Sequence, residues 1–373
     1  MNKKALLITW TSGNYGTVLQ AYAMSQILKL QGFKTEIISS FPLEYSVRSY
    51  FRYWFIKSGL AEKVNGLKGF PIPLRHQRMN DFKKRYLKIV TLYSRCQIKN
   101  IVKRNDVFIT GSDQIWNTYH HWNPNFFLSF VKGKKKIAYS SSIGTEHINP
   151  KYCENVKSFL SEFSHIAVRE LSAVREISQL TGKSDVQQVL DPVFLLSADE
   201  WAKFAPSNEI KVRREDEYLL CYLIASNEQY KQQLYEISKH YGCENKIVVI
   251  PSFENPDFFN DKDNVIIMKD AGPEDFVWLF RNAKCVCTDS FHATALAIKF
   301  NKQFVELKRF DDNDPKSQNS RLYDLLSSLH IDNKMYNRFD ESWKTDIDYN
   351  AVNKLLEKEI ERSIEYLHNA LNN

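Results

Sequence analysis

Between residues 284 and 299 the chain reads KCVCTDSFHATALAIK. The short apolar run from Cys285 to Cys287 predicts a buried strand, and Thr288, Asp289 and Ser290 are all good helix N-cap residues. His292 follows Phe291 at the start of an Ala/Leu/Ile helix. An imidazole is thereby set at the C-terminal edge of a strand and in the first turn of a helix. In open α/β sheets ligands bind at that edge, and the free N–H groups of a helix start suit an anion. A histidine that caps the helix or fills the core has the same local pattern, so other segments must decide.

Four further segments place polar groups directly after predicted strands. Residues 9–17 read TWTSGNYGT. Asn14, Tyr15 and Gly16 stand there at a helix start among hydroxyls, a setting that can cradle a phosphate or a sugar. A tight turn explains the glycines equally well. The segment is neither a Walker loop nor GxGxxG, so nucleotide binding is not supported. Residues 107–117 read VFITGSDQIWN. In that loop Asp113 could act as a base or orient a sugar hydroxyl, and Trp116 could stack on a pyranose, with Ser112 and Gln114 beside them. The plainer reading is that Ser112 or Asp113 caps a short helix. Residues 166–170, IAVRE, put Arg169 at a strand terminus. A guanidinium there suits bidentate binding of phosphate or carboxylate, or else an ion pair with Glu170 or Asp191. Asn319-Ser320-Arg321 opens a late helix, and with Lys308 and Arg309 upstream it makes a second basic cluster.

Strands and helices alternate along the chain, which argues for parallel sheets with crossover helices. The first unit runs from a strand at Ala5–Trp10 to Gln187–Leu190. Asp191-Pro192-Val193-Phe194 breaks the pattern, and the polar stretch Ala205–Asp216 completes a linker. A second unit has strands at Tyr218–Ala225, Lys246–Pro251, Val265–Lys269, Lys284–Thr288 and Gln303–Leu307. The expected fold class is α/β, with two Rossmann-like domains facing one another across a cleft. The first domain spans residues 1–195 and forms the acceptor side. The second, 196–345, carries the Ser-Phe-His loop, and the helix of 346–373 packs back on the first.

A chain of 373 residues supplies apolar content for two cores, and it holds no run of eighteen apolar residues. The apolar start is too short for a signal-peptide core. Six scattered cysteines without CxxC pairs fit reduced thiols, and these features together set a cytoplasmic expectation. No metal set is expected, since the histidines do not pair with carboxylates at ligand spacing. The net charge is +7, yet residues 45–104 hold fifteen Lys/Arg against Glu62 and Asp81. That stretch therefore carries +13 and the rest of the chain −6. Threaded with aromatics, and with two helices predicted on either side of a break at Gly66–Pro73, it reads as an insertion. It suits an anionic membrane surface or ligand, or a solvated face over the first domain. No nucleic-acid motif accompanies it.

Taken in order, Asn-Tyr-Gly (14–16), Gly-Ser-Asp-Gln-x-Trp-Asn (111–117), Ser-Ser-Ile-Gly (141–144), Val-Arg-Glu (168–170), Asp-Pro-Val-Phe (191–194), Ser-Phe-His (290–292) and Asn-Ser-Arg (319–321) resemble the polysaccharide pyruvyl transferases. No single element is specific; the ordered set is. The resemblance implies a GT-B-like fold. It also implies transfer of a pyruvyl group from phosphoenolpyruvate to a sugar as a cyclic ketal, on a surface glycan that is often still lipid-linked. Two positions depart from the family pattern. Ala293 stands where the family usually has Gly, and Thr17 where many members have Asp, which leaves Asp113 as the better carboxylate.

Under this reading His292, Asp113 and Arg169 are catalytic. Asn14, Tyr15, Gly16, Ser112, Gln114 and Trp116 bind substrate from the first domain, together with Ser142. Ser290, Phe291, Arg309 and Arg321 do so from the second. No cofactor is expected beyond phosphoenolpyruvate, the donor substrate. The partners are a polyprenyl diphosphate-linked glycan and an anionic membrane surface reached through residues 45–104. A GT-B glycosyltransferase using a sugar nucleotide, and a non-catalytic glycan- or lipid-binding protein, are the alternatives.

Overall fold

The computed structural model describes residues 3–41, 51, 60, 73–92, 95–120, 122–207, 210–253, 264–312, 314 and 317–373. The first sheet has six parallel strands. They are β1 (Lys3–Ile8), β2 (Phe33–Ile38), β3 (Val107–Thr110), β4 (Lys135–Ser141), β5 (His165–Val168) and β6 (Gln187–Gln188), in the order β2-β1-β3-β4-β5-β6. The second sheet has five: β7 (Leu219–Leu223), β8 (Ile247–Pro251), β9 (Val265–Ile267), β10 (Cys285–Thr288) and β11 (Gln303–Glu306), in the order β11-β10-β7-β8-β9.

Strand segments covered on both faces must be apolar at every position, which is why Ala5–Ile8 and Leu219–Leu223 read as continuous apolar runs. In β1, Ala5 and Leu7 feed one core cluster while Leu6 and Ile8 feed another on the opposite face. In β10, Val286 joins the first of these clusters, and Cys285 and Cys287 join a third behind the second sheet. One apolar cluster thus runs continuously from the first sheet to the second.

Helix α1 (Tyr15–Leu30) lies in that shared core, with Tyr15 to Ala21 all buried. Tyr15 donates from its hydroxyl to the Ala271 carbonyl of the second domain at 2.7 Å and stacks on Phe276 at 4.5 Å. The Asp-Pro-Val-Phe turn, expected as the head of a linker, is instead the hub of the domain junction. Pro192–Leu195 form a short helix packed against α1 on one side and against the helix Phe291–Lys299 on the other. Asp191 caps it, accepting from Val193 N at 3.0 Å, and proline at the first helical position removes a donor that would lack a partner.

The final helix, Tyr349–Asn372, crosses back to the first sheet, where Tyr366 donates to the Ala138 carbonyl and Ser363 accepts from Leu190 N. The basic stretch contributes helices at Leu74–Tyr86 and Arg95–Arg104; the predicted break at Gly66–Pro73, apart from Pro73, and the helix before it, apart from residues 51 and 60, lie outside the described residues. Several of its cations face protein. Arg75 donates to the Pro251 carbonyl at 2.7 Å and lies over Phe253, while Arg78 and Arg85 pair with Asp275 and Glu274 of the second domain. Lys88 and Arg104 both pair with Glu36. This half of the insertion works as a clasp between domains. Among the described residues no helix is long and apolar enough to cross a membrane.

Candidate active site

The C-terminal ends of β1, β3 and β11 open onto one cavity of about 540 Å³ between the domains. Asn14, Asp113 and Gln114 line it from the first domain, and Arg309 and Phe310 from the second. Asn14 caps α1 through Thr17 N at 3.0 Å. Asp113 has φ +59, a left-handed conformation that Asp tolerates better than most residues. Its backbone carbonyl accepts from Ile115 N and Ser142 N, which fixes the loop while the carboxylate turns toward the cleft. Gln114 and Gln318 hydrogen-bond across the cleft at 2.6 Å, and Gln318 in turn accepts from Arg321 at 2.9 Å.

Arg309 lies 4.9 Å over the Phe310 ring, and among the described residues no hydrogen bond or ion pair holds its guanidinium. Arg321 is buried, and burial together with the neighbouring Arg169 pushes it down to about 10. Arg169 and Arg309 both act on Arg321, and the carboxylates of Glu170 and Asp113 offset part of that positive charge.

Behind the cavity sits a dense ionic cluster. The Arg169 side chain is 2% exposed; its Nε donates to Glu170 at 3.2 Å and its Nη1 to Asp191 at 3.0 Å. Only Nη2 is without a hydrogen bond, with Asp113 Oδ1 at 3.9 Å. The expected bidentate fork is therefore already committed to protein carboxylates, and the one remaining nitrogen is itself buried. The guanidinium also lies 4.2 Å over the Phe291 ring, so the residue preceding His292 supports Arg169.

His292 projects from the first turn of its helix, with Nε2 3.5 Å from Asp191 Oδ2 and otherwise without a partner. Its Nδ1 edge faces Gly16, where a Cβ would lie 2.3 Å away. Gly16 is thus the residue that lets α1 and the His292 helix meet. Asp191 is fully buried, and burial alone would push its carboxyl up; the His292 imidazole and then Arg169 outweigh this and hold it well below the usual carboxylate range.

The expected site residues separate into two sets. The cavity wall has Asn14, Asp113, Gln114 and Arg309, and the cluster behind it has Ser112, Arg169, Phe291 and His292, with Arg321 and Ser290 adjoining. Trp116 is not brought to the cleft. It is buried in the first domain, stacked on Phe127 at 5.3 Å, with its indole N–H donating to the Phe126 carbonyl, so no face remains for a sugar. Ser142 is buried and accepts from Gly144 N, tying its own turn, and Tyr15 belongs to the domain junction. His292 lines neither the large cavity nor the small one of about 30 Å³ beside Arg169.

Sequence reasoning placed Asp191 only as a possible ion-pair partner. Its signal was present: like Asp113 and Arg169, it follows a strand end. Trp10 and Phe310, which line the cavity, were not singled out. Among the described residues no group of His, Cys, Asp and Glu is arranged to hold a metal ion.

The polysaccharide pyruvyl transferase family model matches residues 14–307. Comparison with curated proteins gives no match. Among solved structures, one assigned as a UDP-N-acetylglucosamine 2-epimerase of Listeria monocytogenes superposes with a TM-score of 0.54 at 9% identity, covering 99% of this chain and 91% of that one. The UDP-GlcNAc 2-epimerase of Methanocaldococcus jannaschii gives 0.49 at 12%, covering 96% and 92%. The E. coli heptosyltransferase WaaC gives 0.42 at 12%, covering 97% and 99%. The fold is GT-B: two parallel α/β domains facing across a cleft.

Proposed function

The chain belongs to the polysaccharide pyruvyl transferase family, and we propose that its cleft moves a pyruvyl group from phosphoenolpyruvate onto two hydroxyls of one sugar in a surface-glycan precursor. The product is a cyclic ketal, and phosphate is released. The observation that carries this reading is the pairing of Arg309, which makes no hydrogen bond or ion pair among the described residues, with the Asp113 carboxylate on the same cleft. An enol phosphate with a carboxylate needs cations for its two anionic groups and a base beside its acceptor.

In this reading Arg309 takes the donor phosphate or carboxylate with its planar fork, and the charges of Arg321 and of Arg169 behind it assist. Asp113 removes the proton of the first sugar hydroxyl as its oxygen bonds to the enol carbon, and that proton is returned to the methylene carbon, which becomes methyl. The second hydroxyl then attacks the same carbon, the carbon–oxygen bond to phosphate breaks, and that hydroxyl's proton leaves with phosphate. His292 is assigned the second proton. Because the ring lies behind Arg169, this role needs the departing phosphate on the Arg169 side of the cleft. No cofactor is invoked.

A lipid-linked acceptor at an anionic membrane, reached through residues 45–104, completes the proposal. The clasp described above leaves that contact to the rest of the stretch. Binding to anionic vesicles that high salt releases would support it; binding that ignores salt would count against it. The enzymatic test is phosphate release from phosphoenolpyruvate on adding an undecaprenyl-linked oligosaccharide pool, with loss in Asp113→Asn. Turnover of a nucleotide sugar in place of phosphoenolpyruvate would move the assignment to glycosyl transfer.

A further inference from the structure

Resting on that reading of the cleft, we infer that Asp191 is the positioning residue of the site, one carboxylate oxygen orienting both Arg169 and His292. Its Oδ1 is fixed by Val193 N at 3.0 Å, so the carboxylate cannot turn without uncapping the Pro192–Leu195 helix. Its Oδ2 faces donors from three separate segments. Ser112 Oγ donates at 2.8 Å, Arg169 Nη1 donates at 3.0 Å, and His292 Nε2 stands at 3.5 Å. These come from the loop after β3, the end of β5 and the first turn of the Phe291–Lys299 helix. The first two belong to one domain and the histidine to the other, so Asp191 ties the halves of the site together.

Two consequences follow for the side chains it meets. Arg169 is gripped by Glu170 at Nε and by Asp191 at Nη1, which prevents rotation of the guanidinium plane and leaves the buried Nη2, 3.9 Å from Asp113 Oδ1, as its one nitrogen without a hydrogen bond. His292 is held between unlike neighbours. Nε2 faces the carboxylate, whereas Nδ1 faces Gly16 in the first turn of α1, where the unpaired N–H groups carry partial positive charge. A proton is favoured on Nε2 and disfavoured on Nδ1, so Asp191 selects the Nε2–H tautomer and leaves the Nδ1 lone pair. The other charged groups around the cluster are Asp113, Glu170 and Arg321. None of them supplies a hydrogen bond to His292.

The test uses the full-length protein with ¹⁵N-labelled histidine, the His292 signals being identified by their loss in His292→Gln. Wild type should show protonated Nε2, and Asp191→Asn should lose that preference. Ser112→Ala, which keeps the carboxylate, should retain it. In parallel, phosphoenolpyruvate affinity is measured by calorimetry for Asp191→Asn, Arg169→Gln and the double variant. Removing the charged partner should weaken binding about tenfold or more. The double variant should be no weaker than Arg169→Gln alone, because Asp191 acts through the arginine.

Protonated Nδ1 in wild type would overturn the inference even if Asp191→Asn failed to fold. So would a tautomer unchanged in that variant, or additive losses in the cycle. A wild type that binds no phosphoenolpyruvate yet loses its tautomer preference in Asp191→Asn would sink the proposed donor and leave the positioning role standing.

Discussion

The imidazole of His292 lies directly on the backbone of Gly16, so close that a Cβ at Gly16 would sit 2.3 Å from Nδ1 and 2.4 Å from Cγ. The two residues come from helices in different domains, and their contact is where the domains meet beside the ionic cluster. In an ordinary helix, replacing glycine with alanine gains up to about 1 kcal/mol. At Gly16 the sign reverses. Gly16→Ala must push the His292 ring away from Asp191, and overpacking of this kind costs about 1–3 kcal/mol. A lowered unfolding midpoint together with weakened donor binding is the expected result of calorimetry on that variant.

Among the described residues Arg309 makes no hydrogen bond or ion pair, so its removal should separate binding from stability. Arg309→Ala should leave the unfolding midpoint within experimental scatter while phosphoenolpyruvate binding falls about tenfold or more, the usual scale for a charge-assisted contact. Arg309→Lys should recover only part of this, because an ammonium cannot replace a planar fork. Arg169 should behave differently. Truncating it leaves Asp191 and Glu170 buried without their cation, so stability and binding should fall together. Thermal scans beside binding isotherms distinguish the two arginines.

Trp116 should matter to the fold rather than to the acceptor. Trp116→Ala removes a fully buried indole stacked on Phe127, a change that costs about 3–5 kcal/mol. Trp116→Phe, which keeps most of the packing, should leave acceptor KM unchanged. A selective rise in acceptor KM for the phenylalanine variant would mean that the indole reaches substrate after all.

Glu306 provides a pH test. It is buried at the end of β11, where Thr294 is its hydrogen-bond partner and Oε1 has none. Burial, with Asp289 adding to it, pushes its carboxyl well above the ordinary range despite that hydrogen bond. A raised value in the folded state means stability that is fully present below the unfolded value, about 4.3, and is lost as pH rises toward the folded one. Glu306→Gln cannot ionise. It should therefore unfold at a higher temperature than wild type at pH 8, and the advantage should vanish near pH 4. An advantage that is equal at both pH values would mean the carboxyl titrates normally.

Much of the fold was legible because parallel strands buried on both faces leave an unmistakable apolar signal. The run Cys285–Cys287 lies within the observed strand Cys285–Thr288. The cluster was legible in part. Arg169 and His292 declared themselves by standing after strands, but the sequence left open whether Arg169 meets ligand or protein carboxylates, and the structure gives three of its contacts to Asp191, Glu170 and Asp113. Asp191 itself was hidden by its setting. An Asp-Pro turn reads as punctuation between domains, and nothing local reveals that two helices from opposite domains close over it. Trp116 failed for the converse reason, since an indole beside a polar loop looks the same whether it faces a cleft or a core.

The most direct test of the account is titration calorimetry of phosphoenolpyruvate into wild type and Arg309→Ala, repeated with a lipid-linked glycan pool present. The account predicts saturable binding to wild type that weakens about tenfold or more in the variant, with the unfolding midpoint unchanged. Failure of wild type to bind phosphoenolpyruvate with or without the glycan, alongside saturable binding of a nucleotide sugar, would contradict it.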